Sequence, residues 1–166
     1  AAVLRTHGDE RYARRIAAAV AAARPVSDTV ELAGLVREAI PAPARRRGGH
    51  PAKRTFQALR IEVNDELAQL PGTLDLAVQR LVVGGRGVVL AYHSGEDRIV
   101  KERFDWAATG GCMCPARLPC GCGSVSIARI PRRGAHRPDE AEQARNRRAT
   151  SARLRVLERT DPVSRP

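Results

Sequence analysis

Aromatic residues are the scarcest class in this 166-residue sequence: they make up 3%, as one Trp, two Tyr and two Phe. Hydrophobic residues make up 43%, but many of them are alanines, whose burial returns much less free energy than that of Leu or Phe. We therefore expect a thin hydrophobic core for a chain of this length. Such a core is typical of a small helical module, or of part of a larger fold.

Long apolar runs are also absent, and cysteines are confined to one segment. No stretch approaches the roughly 20 apolar residues that a membrane-spanning helix needs, and no basic and apolar signal opens the chain. All four cysteines fall within residues 112–122, a spacing that suits a metal in a reducing compartment better than an extracellular disulfide framework. We therefore expect a cytoplasmic protein without a membrane partner.

Positive charge is what the sequence has in excess. Lys and Arg number 29 against 18 Asp and Glu, which gives a formal net charge of +11. Nearly all of these cations are arginines, whose planar donor groups suit phosphate oxygens and stack on bases. A GC-rich genome would favour Arg over Lys, but it would not create the net positive charge. The balance therefore predicts a polyanionic partner, with nucleic acid as the favoured class.

The first half of the sequence has the apolar periodicity of helices. Helices are predicted over residues 9–24, with Asp9 as N-cap, and from Asp28 to about residue 40, with Glu31 at capping-box spacing. A long helix over 51–70 and a shorter one through 74–81 follow. The predicted core stripe of the long helix consists of Phe56, Leu59, Val63, Leu67 and Leu70.

Basic and polar side chains surround the start of this long helix. The loop before it contains Arg45, Arg46 and Arg47, and the helix carries a ridge of hydrogen-bond donors away from the apolar stripe. The ridge consists of Lys53, Arg54, Gln57, Arg60 and Asn64. We predict that the ridge binds RNA, with Lys53 and the loop arginines on phosphates. The alternative is a solvated helix face with intrahelical ion pairs, such as Arg60 with Glu62.

The second half has the pattern of an α/β fold. A short apolar strand over 87–92, predicted to be buried on both faces, precedes a helix over 98–106. A strand over 124–130, a helix over 139–149 and a strand over 152–158 follow. The last strand has Ala152, Leu154 and Val156 on its predicted core face. Three strands cannot complete a sheet whose central strand is buried on both faces, so we expect part of the sheet to be missing.

Two clusters in this half are candidate sites. His93, Ser94, Glu96 and Asp97 follow the buried strand, where open α/β sheets bind ligands, although these residues would equally serve to cap the next helix. The second cluster consists of Cys112, Cys114, Cys120 and Cys122. Four thiolates at this reach could enclose a structural zinc ion, and the alternatives are disulfides or uncoordinated thiols.

Six stretches resemble the 16S ribosomal RNA (cytosine-N4) methyltransferase family, and they follow one another in the family's order. They are residues 8–16, 50–61, 63–67, 84–86, 93–101 and 151–159. The resemblance implies a helical RNA-binding insertion over 1–80 and the C-terminal strands and helices of a Rossmann-like class I methyltransferase domain over 81–160. The cysteine loop lies within the latter part, and a disordered tail over 161–166 follows.

The implied reaction transfers a methyl group from S-adenosyl-L-methionine (SAM) to N4 of a cytidine in 16S rRNA of the small ribosomal subunit. The family's SAM-binding motifs precede the first residue of this chain. We therefore predict no SAM-binding residue here, an inactive chain when alone, and a site-wall role for residues 93–97. The alternatives are a non-enzymatic basic RNA-binding module, stabilised by zinc, or an inactive truncated copy.

Overall fold

The computed structural model describes residues 1–45, 49–115 and 121–164, and these form two compact units, Ala1–Glu66 and Leu67–Pro166. The first unit is helical and the second combines helices with a sheet, so the predicted mixed α/β class is confirmed. The compact units divide at Glu66, and the family-based domain boundary at residue 80 stays a prediction. In the described ranges, no helix has the length and apolarity needed to cross a membrane.

The first unit packs helices around a small core that includes Leu4, Ile16 and Val36. Its helices are α1 (Ala2–Gly8), α2 (Ala13–Ala22), α3 (Thr29–Ala39), α4 (Ala42–Arg45) and α5 (Lys53–Asn64), with α6 (Glu66–Arg80) beginning at the boundary. The predicted N-cap of α3 is confirmed, because the Asp28 side chain accepts hydrogen bonds from the backbone N–H groups of Val30 and Glu31.

Asp9 ends a helix instead of starting one. It is the C-cap of α1, a helix that the sequence analysis did not predict, and it adopts the left-handed conformation with φ 47°. The predicted helix over 9–24 therefore begins late, at Ala13, with Tyr12 as its N-cap. Asp is common at helix N-termini and also tolerates left-handed backbone, so its position before a helical pattern did not distinguish the two roles.

The most deeply buried face of α5 differs from the predicted stripe, although Phe56 and Leu70 of that stripe are partly buried against the cores. Ala52, Thr55, Ala58 and Ile61 are almost fully buried, whereas Val63 is 81% exposed. These four residues recur every three positions, and three of them are small, which allows α1 to pack closely on α5. The predicted long helix is also wrong in length, because Asp65 adopts a left-handed conformation (φ 52°) that separates α5 from α6.

The second unit contains a three-stranded antiparallel sheet in the order β1-β3-β2. Its further elements are β1 (Arg86–Ala91), α7 (Ser94–Thr109), β2 (Val125–Arg129), α8 (Glu140–Arg145), a short 3-10 helix (Arg147–Ser151) and β3 (Arg153–Ser164). The three predicted strands and the helix after β1 are confirmed, although α7 is longer than predicted and the last helix is shorter. The predicted disordered tail begins too early, because Asp161–Ser164 belong to β3, and Arg165 and Pro166 lie outside the described residues.

One face of the sheet is covered by α6 and α7, and the opposite face has apolar side chains in contact with solvent. Leu157 is fully buried in the cluster with α6 and α7, on the face of β3 opposite to the predicted core face. Of the predicted core residues, Ala152 is buried, but Leu154 and Val156 are only partly buried, so the prediction is wrong for these two. These two residues pair with Leu90 and Val88 of β1, which are 48% and 58% exposed. The prediction that β1 is buried on both faces is therefore also wrong within the described residues, because helices cover one face of it.

Glu158 connects the three strands through their side chains. Its carboxylate accepts hydrogen bonds from Arg129 of β2 (2.6 and 3.0 Å) and from Arg86 of β1 (3.0 Å). The bonds from Arg129, and then the bond from Arg86, hold the pKa of Glu158 below its usual range. The ionised carboxylate therefore links β1 and β2 to β3 on the more open face of the sheet.

Candidate functional site

A basic pocket of about 490 Å³ lies in the first unit, beside the N-termini of α2 and α5. Its walls combine cationic side chains with apolar surface. The charged and aromatic residues that line it are Glu10, Arg11, Tyr12, Arg45, His50, Lys53 and Arg54. Four of these are permanent cations and one is an anion, so the described lining has a formal charge of +3. A pocket of this size and sign suits a nucleotide with its phosphate.

Two of the predicted RNA-binding arginines in this pocket also stabilise the protein's own backbone. Arg45 donates to the carbonyl of Ile40 (2.7 Å), and Arg54 donates to the carbonyl of Asp9 (3.0 Å). Lys53, in contrast, is exposed, and its ammonium group is directed to no hydrogen-bond acceptor within the described residues. Arg46 and Arg47 lie outside the described residues, so their predicted phosphate contacts stay predictions.

The pocket also contains residues that the sequence analysis did not select. Arg11 lies over the ring of Tyr12, with its guanidinium carbon 5.8 Å from the ring centre, and His50 lies just before α5. The sequence contained no signal for this grouping, because Arg11 has the pattern of one of several solvated arginines on the predicted helix over 9–24. The packing of α1 on α5, together with the hydrogen bond from Arg54 to the carbonyl of Asp9, brings residues 10–12 close to the start of α5.

In the C-terminal half of the predicted ridge on α5, Arg60 and Asn64 form hydrogen bonds with the carboxylate of Glu66. Arg60 donates two hydrogen bonds to Glu66 (2.8 and 3.0 Å), and Asn64 donates one (3.2 Å). Glu62 instead contacts His7 at 3.0 Å, so the suggested pair of Arg60 with Glu62 is not formed. Gln57 is half-buried on the same face. An exposed ion pair of this kind stabilises by about 1 kcal/mol or less, so a phosphate can compete with Glu66 for Arg60.

In the second unit, His93 and Glu96 cap α7. The Glu96 backbone N–H donates to His93 Nδ1 (3.3 Å), and the Glu96 carboxylate accepts from the backbone N–H of Tyr92 (2.9 Å) and of His93 (3.4 Å). This reciprocal arrangement is the capping box. The other ring nitrogen of His93, Nε2, is buried and lacks a hydrogen bond within the described residues, although Glu96 Oε1 lies 3.2 Å away.

Asp97 joins α7 to the sheet. Its two carboxylate oxygens accept hydrogen bonds from Arg155 of β3 at 2.7 and 3.0 Å, and Arg153 lies 3.8 Å away. The side chains of Asp97 and Arg155 are both largely buried. Of the predicted site-wall residues, Ser94 is exposed at the first turn of α7, while the other three have these structural contacts. Their role in a site stays a prediction.

Three of the four predicted metal-ligand cysteines lie together. The sulfur atoms of Cys112, Cys114 and Cys122 are all within 4.8 Å of one another, in the segment between α7 and β2. Cys120 lies outside the described residues. The arrangement has the ligand type and the spacing for one thiophilic ion.

Two cavities of the described residues have linings that do not suit SAM. Besides the basic pocket of the first unit, a cavity of about 810 Å³ beside the sheet is lined by Lys101, Arg129, Arg133 and Arg155, with Asp105 among them. SAM carries a positive sulfonium group, which an excess of cations repels. We therefore assign no step through SAM to these residues.

Comparison with known proteins identifies the family. The sequence profile of the MraW methylase family matches residues 1–160. The chain belongs to the MraW methylase family. Relatives named ribosomal RNA small subunit methyltransferase H are 56% identical in Acidothermus cellulolyticus, 53% in Salinispora tropica and 52% in Mycobacterium leprae. These alignments cover 95–98% of this chain.

The MraW relatives are longer than this chain. The matched region makes up 49% of the Acidothermus protein, 44% of the Salinispora protein and 43% of the Mycobacterium leprae protein. The chain thus spans about half the length of the curated relatives that it matches. Its similarity to them is highly specific for the family and covers both compact units.

Proposed function

We propose that this chain is the RNA-holding and sheet-forming portion of a SAM-dependent methyltransferase that modifies N4 of a cytidine in 16S rRNA. The family match over residues 1–160 supports the methyltransferase assignment. The basic pocket of the first unit supports the RNA-holding role, and it is the single observation on which that role depends. In this proposal SAM binds to a part of the enzyme outside this chain, so the chain alone does not methylate RNA.

The chemistry of the reaction explains why such a pocket is needed. The exocyclic amine of cytosine is a weak nucleophile, because its lone pair is delocalised into the ring. Transfer therefore requires N4 and the methyl donor to be aligned, and the base must leave its stack. Cations on the flanking phosphates, together with the Tyr12 ring, offer the contacts that hold an unstacked nucleotide.

The apolar face of the sheet supports a larger methyltransferase domain. Val88 and Leu90 of β1 remain about half exposed beside Leu154 and Val156, as expected for a sheet whose second face packs on further elements. We propose that the remaining part of the enzyme completes a Rossmann-like sheet against this face. In that assembly His93, Ser94, Glu96 and Asp97, at the end of β1, form part of the wall of the active site.

The RNA-holding role is tested by the salt dependence of binding to protein-free 16S rRNA. Arg11→Gln combined with Lys53→Gln removes two pocket cations that hold no backbone carbonyl in the described structure. If each contacts a phosphate, the slope of log affinity against log salt concentration flattens by about 1.4, at about 0.7 per contact on single strands. Arg24→Gln combined with Arg37→Gln is the matched control, because both arginines are exposed and lie outside the pocket.

The control separates local contacts from the general effect of net charge. Equal slopes for the two double variants would remove the pocket from the proposed RNA-binding surface. The same preparations, incubated with radiolabelled SAM and small ribosomal subunits, should incorporate no methyl group above background. Methylation by the chain alone would contradict the proposal that SAM binds elsewhere.

A further inference from the structure

We propose that Cys112, Cys114 and Cys122 bind one structural zinc ion that joins the C-terminal end of α7 to the start of β2. The proposal concerns a metal site, and it rests on no assumption about RNA or methyl transfer. It is carried by three observations: the spacing of the sulfur atoms, the way the chain brings them together, and the small amount of core in this segment.

The spacing of the sulfur atoms suits a single ion. Around tetrahedral zinc, with Zn–S bonds of about 2.3 Å, the sulfur atoms lie about 3.8 Å apart. The three sulfur atoms here are within 4.8 Å of one another, so rotation of the side chains that moves them closer by at most about 1 Å is sufficient. An iron–sulfur cluster would hold its thiolates farther apart, because they bind different iron atoms. Thiolates also select zinc over magnesium or calcium, which prefer oxygen.

The backbone around the cysteines is fixed at both ends. Gly110 ends α7 in the left-handed conformation (φ 64°), and a Cβ atom at this position would overlap the backbone of Val125, the first residue of β2. The end of the helix and the start of the strand are therefore in direct contact. Cys112 and Cys114 leave this contact point and Cys122 returns to it, so residues eight to ten positions apart meet without a long-range element.

The segment contributes little to the hydrophobic core. Cys112 and Cys114 are half-buried and Cys122 is exposed, while Met113 between them is 95% exposed. The core of the second unit includes Ala107 before the segment and Ala128 after it, and no residue of 108–115 or 121–127 is among its fully buried members. A metal would supply the stabilisation that apolar contacts do not supply here.

The test uses the purified protein that carries this chain, prepared with a thiol reductant. Elemental analysis should find about one zinc per chain, and cobalt(II) added to the metal-depleted protein should give the intense near-ultraviolet absorption of thiolate-to-cobalt charge transfer. Removal of zinc by a chelator should lower the melting temperature by about 5 °C or more. Cys112→Ser combined with Cys114→Ser should lower zinc affinity more than the roughly 10–100-fold expected from loss of a group that only supports a ligand.

Met113→Ser is the matched control, because it changes an exposed side chain in the same segment and removes no thiolate. It should keep full zinc content and the cobalt spectrum. Circular dichroism of both variants shows whether the fold persists, and the cobalt titration of the single variant Cys122→Ser, whose residue is exposed, provides a second measurement if the double variant does not fold. Absence of zinc, its replacement by iron or copper, a disulfide between these cysteines in the reduced protein, or unchanged zinc affinity in the cysteine variants would each overturn the proposal.

Discussion

The close contact between α1 and α5 at Gly8 predicts that adding one Cβ atom there lowers the free energy of unfolding. A Cβ atom at Gly8 would lie 2.7 Å from the carbonyl oxygen of Arg54 and 3.1 Å from the Cβ atom of Ala58. Both neighbours belong to the body of α5, so neither can rotate out of the way as the end of a long side chain could. Gly8→Ala therefore forces the two helices apart, at a cost of about 1–3 kcal/mol in the free energy of unfolding.

The matched control is Gly34→Ala in the middle of α3. A Cβ atom there would meet no other atom within 4 Å, so the substitution changes helix propensity without a clash. Ala in place of Gly inside a helix stabilises by about 0.4–1 kcal/mol, because the unfolded chain has fewer conformations to lose. The same chemical change should thus have opposite signs at two glycines of one unit.

Urea unfolding followed by far-ultraviolet circular dichroism measures both effects. The unfolding midpoint should fall for Gly8→Ala and rise for Gly34→Ala, with similar slopes in urea. A Gly8→Ala variant as stable as the parent would refute the close packing of α1 on α5. In that case the larger apolar residues of α5, such as Phe56 and Leu59, would have to form more of the core of the first unit.

Two further predictions concern the ion pairs of the second unit. Asp97→Asn keeps the shape of the side chain but leaves Arg155 without its charged partner, so it should lower the free energy of unfolding by about 1.5–3 kcal/mol. A double-mutant cycle with Arg155→Gln checks this, and a coupling near zero would contradict the structural role of the pair. Glu158→Gln should lower the melting temperature at neutral pH. Because the folded pKa of Glu158 is lowered, this difference should be present above the ordinary Glu pKa and disappear as the pH falls through the folded value, which melting curves from pH 7 to 3 can follow.

Local signals in the sequence predicted much of the fold. The N-cap at Asp28, the glycines before β1 and the apolar run of β1 correctly indicated the start of α3 and the first strand. These features act within a few residues, so the sequence contains all the information that they need. The family resemblance was carried by several such stretches together, and the match over residues 1–160 confirmed it.

The errors come from features that depend on distant residues. The predicted stripe of α5 has strong apolar character, but the close approach of α1 at Gly8 buries the face with small residues more deeply. Phe56 is therefore only partly buried and Val63 is exposed. The strand β3 likewise carries apolar residues on both faces, and the position of α7 determined that Leu157 is buried by the helices. Neither choice is visible from periodicity, because it requires knowing which element packs on which face.

In the candidate site too, residues close together in the sequence were predicted and residues far apart were missed. Arg45, Lys53 and Arg54 were predicted from their position near one helix, and the structure places all three on the basic pocket. Arg11 and Tyr12 are about 40 residues away along the chain, just before the start of α2, so no local pattern could group them with the rest. The ion pair of Asp97 with Arg155 spans 58 residues and was missed for the same reason.

The position of β1 affects how this polypeptide behaves when it is produced by itself. Among the described strands β1 is at one edge of the sheet, so the backbone N–H and C=O groups along its outer side have no neighbouring strand. The apolar side chains of β1 next to this edge are exposed to solvent. Such an edge can pair with the same edge of another molecule, which leads to self-association at high concentration. Under the proposed function, co-expression with the rest of the enzyme would cover this edge and reduce self-association.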